Sequence, residues 1–246
     1  MPGPKPPVTA VLKVGEDDLA LAAVDRELAV VAKRTAPNPP LAGAPYAALD
    51  PTHVRRWLIA ALGDLGELFR IEAIVPTAFG ATSALVDGTE LVLAMMRPSA
   101  EPPDAVRAAY EAEAPDPALT GCTTPARGCS LGLQLFWQQR AFADAFARAR
   151  WILPHAAYWG FRLTDGVPAS EAASLVEGGQ LAEVKGARPS TLARRMGWQL
   201  RLPARRDPHR LLGRLAPEIA ERAELAPATP VLVGTTTKAA AHAVVL

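Results

Sequence analysis

The sequence predicts an α/β domain, a mixed sheet with helices packed on it. Three observations carry this: a meander of three strand patterns within residues 8–36, an amphipathic helix over 51–69 that leads directly into a strand, and a largely helical pattern after residue 104. The chain has 246 residues, of which 50% are hydrophobic. That is enough to bury one large core or two small ones, and one domain is the simplest fit.

The proline-rich opening 2-PGPKPP-7 cannot pair in a sheet, so residues 1–7 are expected as a disordered lead, with order from Val8. The segments 8-VTAVLKVG-15 and 19-LALAAVD-25 read as two strands around a turn at Gly15 to Asp18, and 27-ELAVVAKRTA-36 continues as a third. After the loop 37-PNPPLAGAPYAALD-50, Asp50 caps a helix with Pro51 at its first position. Val54, Leu58, Ala61, Leu62 and Leu65 fall on one face of it. A strand over 71–79 follows, then one over 83–94 broken by a hairpin turn at Asp87-Gly88.

A short helix is expected over 104–114 and a loop from there through Cys129. The run 131–153 reads as two successive helices, the second giving way to a strand at Trp151 to Leu153. Further short helices are expected over 154–165 and over 188–198, the latter capped by Ser190 or Thr191. Near the end, 230-PVLVG-234 reads as a buried strand stopping on a glycine turn, with a small-residue segment after it that opens a helix. No repeat recurs at a fixed period.

Lys and Arg total 26 against 25 acidic residues, a net charge of +1 that argues against nucleic-acid wrapping and against attraction to anionic membranes. The longest apolar runs, such as Ile71 to Leu85, fall short of a membrane span, and a soluble, cytoplasmic protein is expected. Cys122 and Cys129 form no disulfide framework and read as packed thiols. His53, His155, His209 and His242 are too widely spaced to suggest a metal site, and none is expected. The basic run 201-RLPARRDPHR-210 is interrupted by Asp207 and reads as a solvated loop. Tyr158, Trp159 and Phe161 sit at helical spacing, which suits core packing.

The stretch 151-WILPHAAYWGFRLTDGVPASEAASL-175 is the most distinctive of the chain, and 131-LGLQLFWQQR-140, 190-STLARRMGW-198, 212-LGRLAPEIAERAEL-225 and 229-TPVLVG-234 accompany it. In order and spacing these pieces resemble the N-terminal domain of FGGY-family carbohydrate kinases, in the rhamnulose- and fuculose-type branch, over residues 8–246. The resemblance implies a ribonuclease-H-like domain of the actin/hexokinase type, one of two that clamp a sugar and ATP between them. It implies ATP-dependent phosphorylation of a ketose or deoxyketose, with ATP and Mg as cofactors. The C-terminal ATP-binding domain is expected to be absent, so the implied partners are the sugar and either a separate ATP domain or another copy of the chain.

Carried over position by position, the family's motifs land on altered residues. In 13-KVGEDD-18, Lys13 stands where the family has a magnesium-associated Asp. Gly15 is retained, while Glu16, Asp17 and Asp18 fill the phosphate turn, where three carboxylates would repel a triphosphate. Read without the family, Gly15 is a residue supplying positive φ in a hairpin. In the sugar segment 76-PTAFGATSALVDG-88, Thr77 and Gly80 match and Phe79 replaces a polar residue, which weakens discrimination between sugars. The later segment 176-VEGGQLAEVKG-186 has neither the His nor the Asp of its family counterpart. At the last corner, aligned on Gly234, the general base falls at Thr237, the preceding His at Thr236 and a Ser at Lys238. A threonine hydroxyl cannot accept a proton near neutrality. The expectation is therefore a catalytically impaired kinase, a pseudokinase, with a non-catalytic sugar- or partner-binding protein as the alternative. The hydroxyls and Lys238 would suit an anion, but they lack the spacing of a P-loop.

Overall fold

The computed structural model describes residues 4–79, 81–176, 180–186, 188–208 and 210–236. Three antiparallel strands come first: β1 (Pro7–Val14), β2 (Asp18–Val24) and β3 (Val30–Pro37). In β1 the alternation of side chains turns Val8, Ala10, Leu12 and Val14 into the core, each no more than 3% exposed. Pairing begins at Pro7, one residue before the expected start, and the amide of Arg70 donates to the Pro6 carbonyl at 2.8 Å. The third strand starts at Val30 rather than residue 27. Asp25 Oδ1 accepts from the amides of Glu27 (3.1 Å) and Ala29 (2.8 Å), and Leu28 sits at φ 64°, so a tight turn takes up those residues.

Helix α1 (Pro51–Leu68) begins as the sequence predicts. Asp50 Oδ1 accepts from the amides of Thr52 and His53, both at 3.0 Å, and satisfies donors that have no partner within the helix. Its buried face holds Val54, Leu58, Ile59, Ala61, Leu62 and Leu65. The chain then enters β4 (Arg70–Ala78) and the hairpin β5 (Ser83–Asp87) and β6 (Glu90–Leu91). The second arm of the hairpin stops at Leu91 instead of running to residue 94. Ala94 is held elsewhere, its carbonyl accepting from Tyr46 Oη at 2.7 Å and Gln138 Nε2 at 3.3 Å.

Helix α2 (Asp104–Glu111) is followed by a helical turn that the sequence reading treated as loop, α3 (Pro117–Thr120). Asp116 caps it through the Ala118 amide at 2.8 Å, and Gly121 ends it at φ 69°. Helices α4 (Leu131–Ala141) and α5 (Ala143–Arg148) lead to β7 (Trp151–Pro154) and α6 (His155–Leu163), as expected. The remainder comprises β8 (Ala169–Ser170), α7 (Ala172–Val176), α8 (Thr191–Arg195) with its Ser190 cap, and a 3-10 turn over Trp198–Leu200. After these come β9 (Ala204–Arg205), β10 (Leu211–Arg214), α9 (Pro217–Arg222), β11 (Pro230–Leu232) and β12 (Thr235–Thr236).

The main sheet has seven strands in the order β10-β11-β4-β1-β2-β3, with β12 pairing β4 beyond β11. It is mixed: β4 runs parallel to β1, β11 and β12, while the β1-β2-β3 meander is antiparallel. Apolar faces of α1, α6 and α9 cover it and form one core. A second core gathers α2, α4, α5 and α8 around Leu131, Leu135, Phe136, Leu192 and Trp198, none more than 1% exposed. Trp198 is buried without loss, because its indole N–H donates to Gln139 Oε1 at 2.7 Å. No helix among the described residues is long and apolar enough to cross a membrane.

The first core sets the stability of the sheet. Leu62, fully buried on α1, is expected to cost about 2–5 kcal/mol when cut to alanine, through lost transfer energy and the cavity left behind. Leu200, 81% exposed, is expected to change stability by no more than about 0.5 kcal/mol as Leu200→Ala. Urea unfolding of both variants checks the contrast.

Candidate functional site

The register of three parallel strands collects the positions singled out from the sequence. Lys13 on β1 lies opposite Thr77 on β4, and Thr77 in turn lies opposite Thr235 on β12. One step further along, Val14, Ala78 and Thr236 form the next row. Gly15 follows the first strand and Phe79 the second, so Lys13, Gly15, Thr77, Phe79 and Thr236 all converge at one carboxyl edge of the sheet. Gly80, Thr237 and Lys238 lie outside the described residues, as do His209 and His242.

The turn after β1 differs electrostatically from the expectation of three repelling carboxylates. Lys13 Nζ pairs with Asp18 at 2.8 Å. The guanidinium of Arg97, only 7% exposed, binds Glu16 at 3.2 Å and also bonds Asp17. Glu16 additionally accepts from the amide of Ser99 at 3.2 Å and from its hydroxyl. Each acid of the turn therefore has a cation beside it, and two cations meet three carboxylates. Arg97 was not picked out from the sequence, because its partners lie 80 and 81 residues away along the chain.

Gly15 also has a different reason from the one the hairpin suggested. It is not at positive φ. A Cβ there would stand 2.2 Å from Asp18 Oδ1 and 2.7 Å from the Asp18 carbonyl, so close packing of the turn requires glycine. The Asn38 side-chain amide donates to the Gly15 carbonyl at 2.8 Å and ties the same turn to the end of β3.

At the far side of the edge, Thr235 and Thr236 are extended and join β4 as β12, and the rest of the segment expected to open a helix lies outside the described residues. Glu171, 3% exposed, explains this. Its Oε1 accepts from the Thr235 hydroxyl at 2.5 Å, the Thr236 amide at 2.8 Å and the Ser174 hydroxyl at 3.3 Å. These donors draw the corner into the sheet. Gly234 is pressed against the start of α6, where a Cβ would lie 2.7 Å from the Ala156 carbonyl. Glu171 is a second residue that sequence reasoning missed; the only signal was its place in 171-EAAS-174. The hydroxyl of Thr77 donates to the Leu12 carbonyl at 2.8 Å, which spends it on joining β4 to β1.

His155 opens α6 directly behind Phe79, their rings edge to face with centroids 4.7 Å apart. It is buried, and neither ring nitrogen has a hydrogen-bond partner among the described residues. Burial pushes its pKa down to about 3, and the backbone of Phe79 acts the other way. Among the described residues no three His, Cys, Asp or Glu side chains come together as a metal site would need.

Two outcomes follow. Because the folded protein keeps His155 neutral while the unfolded chain protonates it near pH 6.5, its stabilising share is present above that pH and is lost as the pH falls toward about 3. Stability is expected to fall in that window by on the order of 1 kcal/mol per pH unit, and His155→Leu to flatten the slope, as read by urea unfolding across pH. Glu171→Ala leaves buried donors without an acceptor and is expected to cost about 2–4 kcal/mol, with Glu171→Gln losing less because one acceptor remains. Thermal unfolding of the pair checks the order.

No protein-family model matches the sequence, and no curated protein matches it. Solved structures do match. A carbohydrate kinase from Novosphingobium aromaticivorans superposes with a TM-score of 0.89 and 29% identity, over 97% of this chain and 50% of that one. A xylulose kinase from Rhodospirillum rubrum gives 0.82 and 19%, over 95% of this chain and 50% of the other. A glycerol kinase from Plasmodium falciparum, solved with ADP, gives 0.77 and 12%, over 96% and 50%. The chain thus has the ribonuclease-H-like, actin/hexokinase-type fold of these carbohydrate kinases and spans about half of their length.

Proposed function

We propose that the chain is the sugar-side lobe of an FGGY-type carbohydrate kinase of the rhamnulose- and fuculose-type branch, in which the transfer chemistry is impaired. The family reaction is ATP-dependent phosphorylation of a ketose or deoxyketose. The observation that carries this reading is the three-strand register, which sets Lys13, Thr77 and Thr235 side by side where the family motifs were expected to meet. The likeness in fold to carbohydrate kinases, over half of their length, supports it. The nucleotide lobe is then supplied by polypeptide outside this sequence, as a continuation or as a partner.

Phosphoryl transfer needs a base for the attacking hydroxyl and cations to neutralise the moving phosphate. Thr237 occupies the base position, and its hydroxyl has no pKa suited to the task. Magnesium requires several oxygen ligands. The described residues do not fit it: Lys13 brings a cation to the strand end, and Glu16 and Asp17 are engaged by Arg97. The carboxylates of Glu16 and Asp17, already seated on Arg97, would oppose the ATP phosphates at Gly15. On the sugar side, Phe79 and Thr236 stand with Thr77 and Gly80 as the candidate contacts, and a phenyl ring at position 79 leaves one hydroxyl of the sugar without a partner.

Sugar binding and turnover are tested separately. A panel of ketoses and deoxyketoses is expected to yield at least one that raises the melting temperature, since a ligand that binds only the folded state stabilises it. Absence of any shift overturns the assignment to a sugar lobe. A coupled ADP-release assay is expected to show no turnover for the wild type or for Thr237→Asp, because groups that act together in catalysis are strongly non-additive. Turnover by the wild type overturns the impairment, and turnover by Thr237→Asp alone would make position 237 the sole missing part.

A further inference from the structure

A pocket of about 410 Å³ opens between the first turns of α1, the β5-β6 hairpin, α6 and the end of α9, and it shares no residue with the strand-end site. Four arginines line it, Arg55, Arg56, Arg162 and Arg222, against the single carboxylate of Glu90. They are not equally committed. Arg55 binds Glu218 at 2.8 Å, and Arg222 binds the same carboxylate at 3.5 Å. Arg162 donates to the Thr89 carbonyl at 3.0 Å and lies beside the Tyr158 hydroxyl, and Arg56 has no hydrogen bond or ion pair among the described residues. Two guanidinium groups at the pocket are thus left without a carboxylate partner.

The wall gives an independent observation. Trp159 lines the pocket and is 2% exposed, yet its indole N–H has no hydrogen-bond partner among the described residues. A buried donor without an acceptor is rare in a folded protein and marks a place where an acceptor is to be sought. Tyr158 beside it presents a phenol whose pKa burial raises to about 12, so it stays neutral and able to donate at ordinary pH. Guanidinium forks gathered along one cavity suit a phosphate oxygen triad, which arginine recognises through paired charge-assisted hydrogen bonds. The space is too large for the phosphate group by itself and leaves room for a small polar body stacked along the aromatic wall.

We propose that this pocket binds a small phosphate monoester, its dianion held by Arg56 and Arg162 and its organic part seated against Trp159. Because none of its residues belongs to the strand-end site, this holds or fails independently of the kinase reading. The test is titration calorimetry on the full chain with glucose 6-phosphate as the probe, alongside glucose, orthophosphate and potassium chloride at matched ionic strength. Glucose 6-phosphate is expected to bind, glucose and chloride to give no saturable signal, and orthophosphate to bind more weakly than the ester. Arg56→Gln, at an exposed position, is expected to leave the circular dichroism spectrum unchanged and to weaken the ester about tenfold, the worth of one charge-assisted hydrogen bond. No binding of the ester, binding unaltered by Arg56→Gln, or equal binding of orthophosphate each overturns the proposal.

Discussion

Everything at the candidate site depends on the parallel pairing of β4 with β1 on one side and with β11 and β12 on the other. Parallel strands cannot be joined by a tight turn, so the chain must travel through β2, β3 and α1 before β4 can lie beside β1. What this arrangement yields is a common end. The ends of β1, β4 and β12 point the same way, and residues far apart in sequence arrive in one row. The register is also unforgiving. A slip of one residue would turn Leu12 and Val14 out of the core and bring Lys13 into it.

The anchors of that edge are polar contacts made across long stretches of chain. Arg97 is nearly buried and draws the acids of the β1-β2 turn onto itself, while Glu171 draws in the backbone of β12. Breaking either would strand a charge or a donor in a poorly hydrated place, which costs more than the bond itself contributes. The β1-β2 turn is thus filled from within by the protein's own ion pairs. An anion arriving there would have to displace the carboxylates of Glu16 and Asp17 already seated on Arg97.

The elements of the fold were legible where local chemistry decides them. The Asp50-Pro51 start of α1, the alternation of β1 and the Ser190 cap of α8 are written in neighbouring residues, and they stand where the sequence placed them. Short-range signals were also overlooked: Asp116, Pro117 and Gly121 spell out a capped turn, and Asp25 a tight one. The site was harder to read for a different reason. Glu171 and Thr235 are 64 residues apart, Arg97 and Asp17 80, and no pattern of spacing announces pairs that only tertiary folding brings together. The glycines show the same limit: Gly15 and Gly234 looked like turn residues, and both turn out to be places where another backbone group comes too near for a side chain.

The outermost strand carries a consequence of its own. In the described sheet β3 is bonded to no strand but β2, so its other side is an open edge, with Val30 and Val31 exposed on the strand. Such an edge is a template for unwanted strand addition between molecules. Lys33 and Arg34 interrupt its apolar run with charge, Arg34 reaching across to Asp64 on α1, and Pro37 with the prolines that follow at 39 and 40 removes the donors needed to extend a ladder. The strand that completes the meander thus carries charge and prolines of the kind that keep an open edge from pairing with another, from residues that lie outside the core.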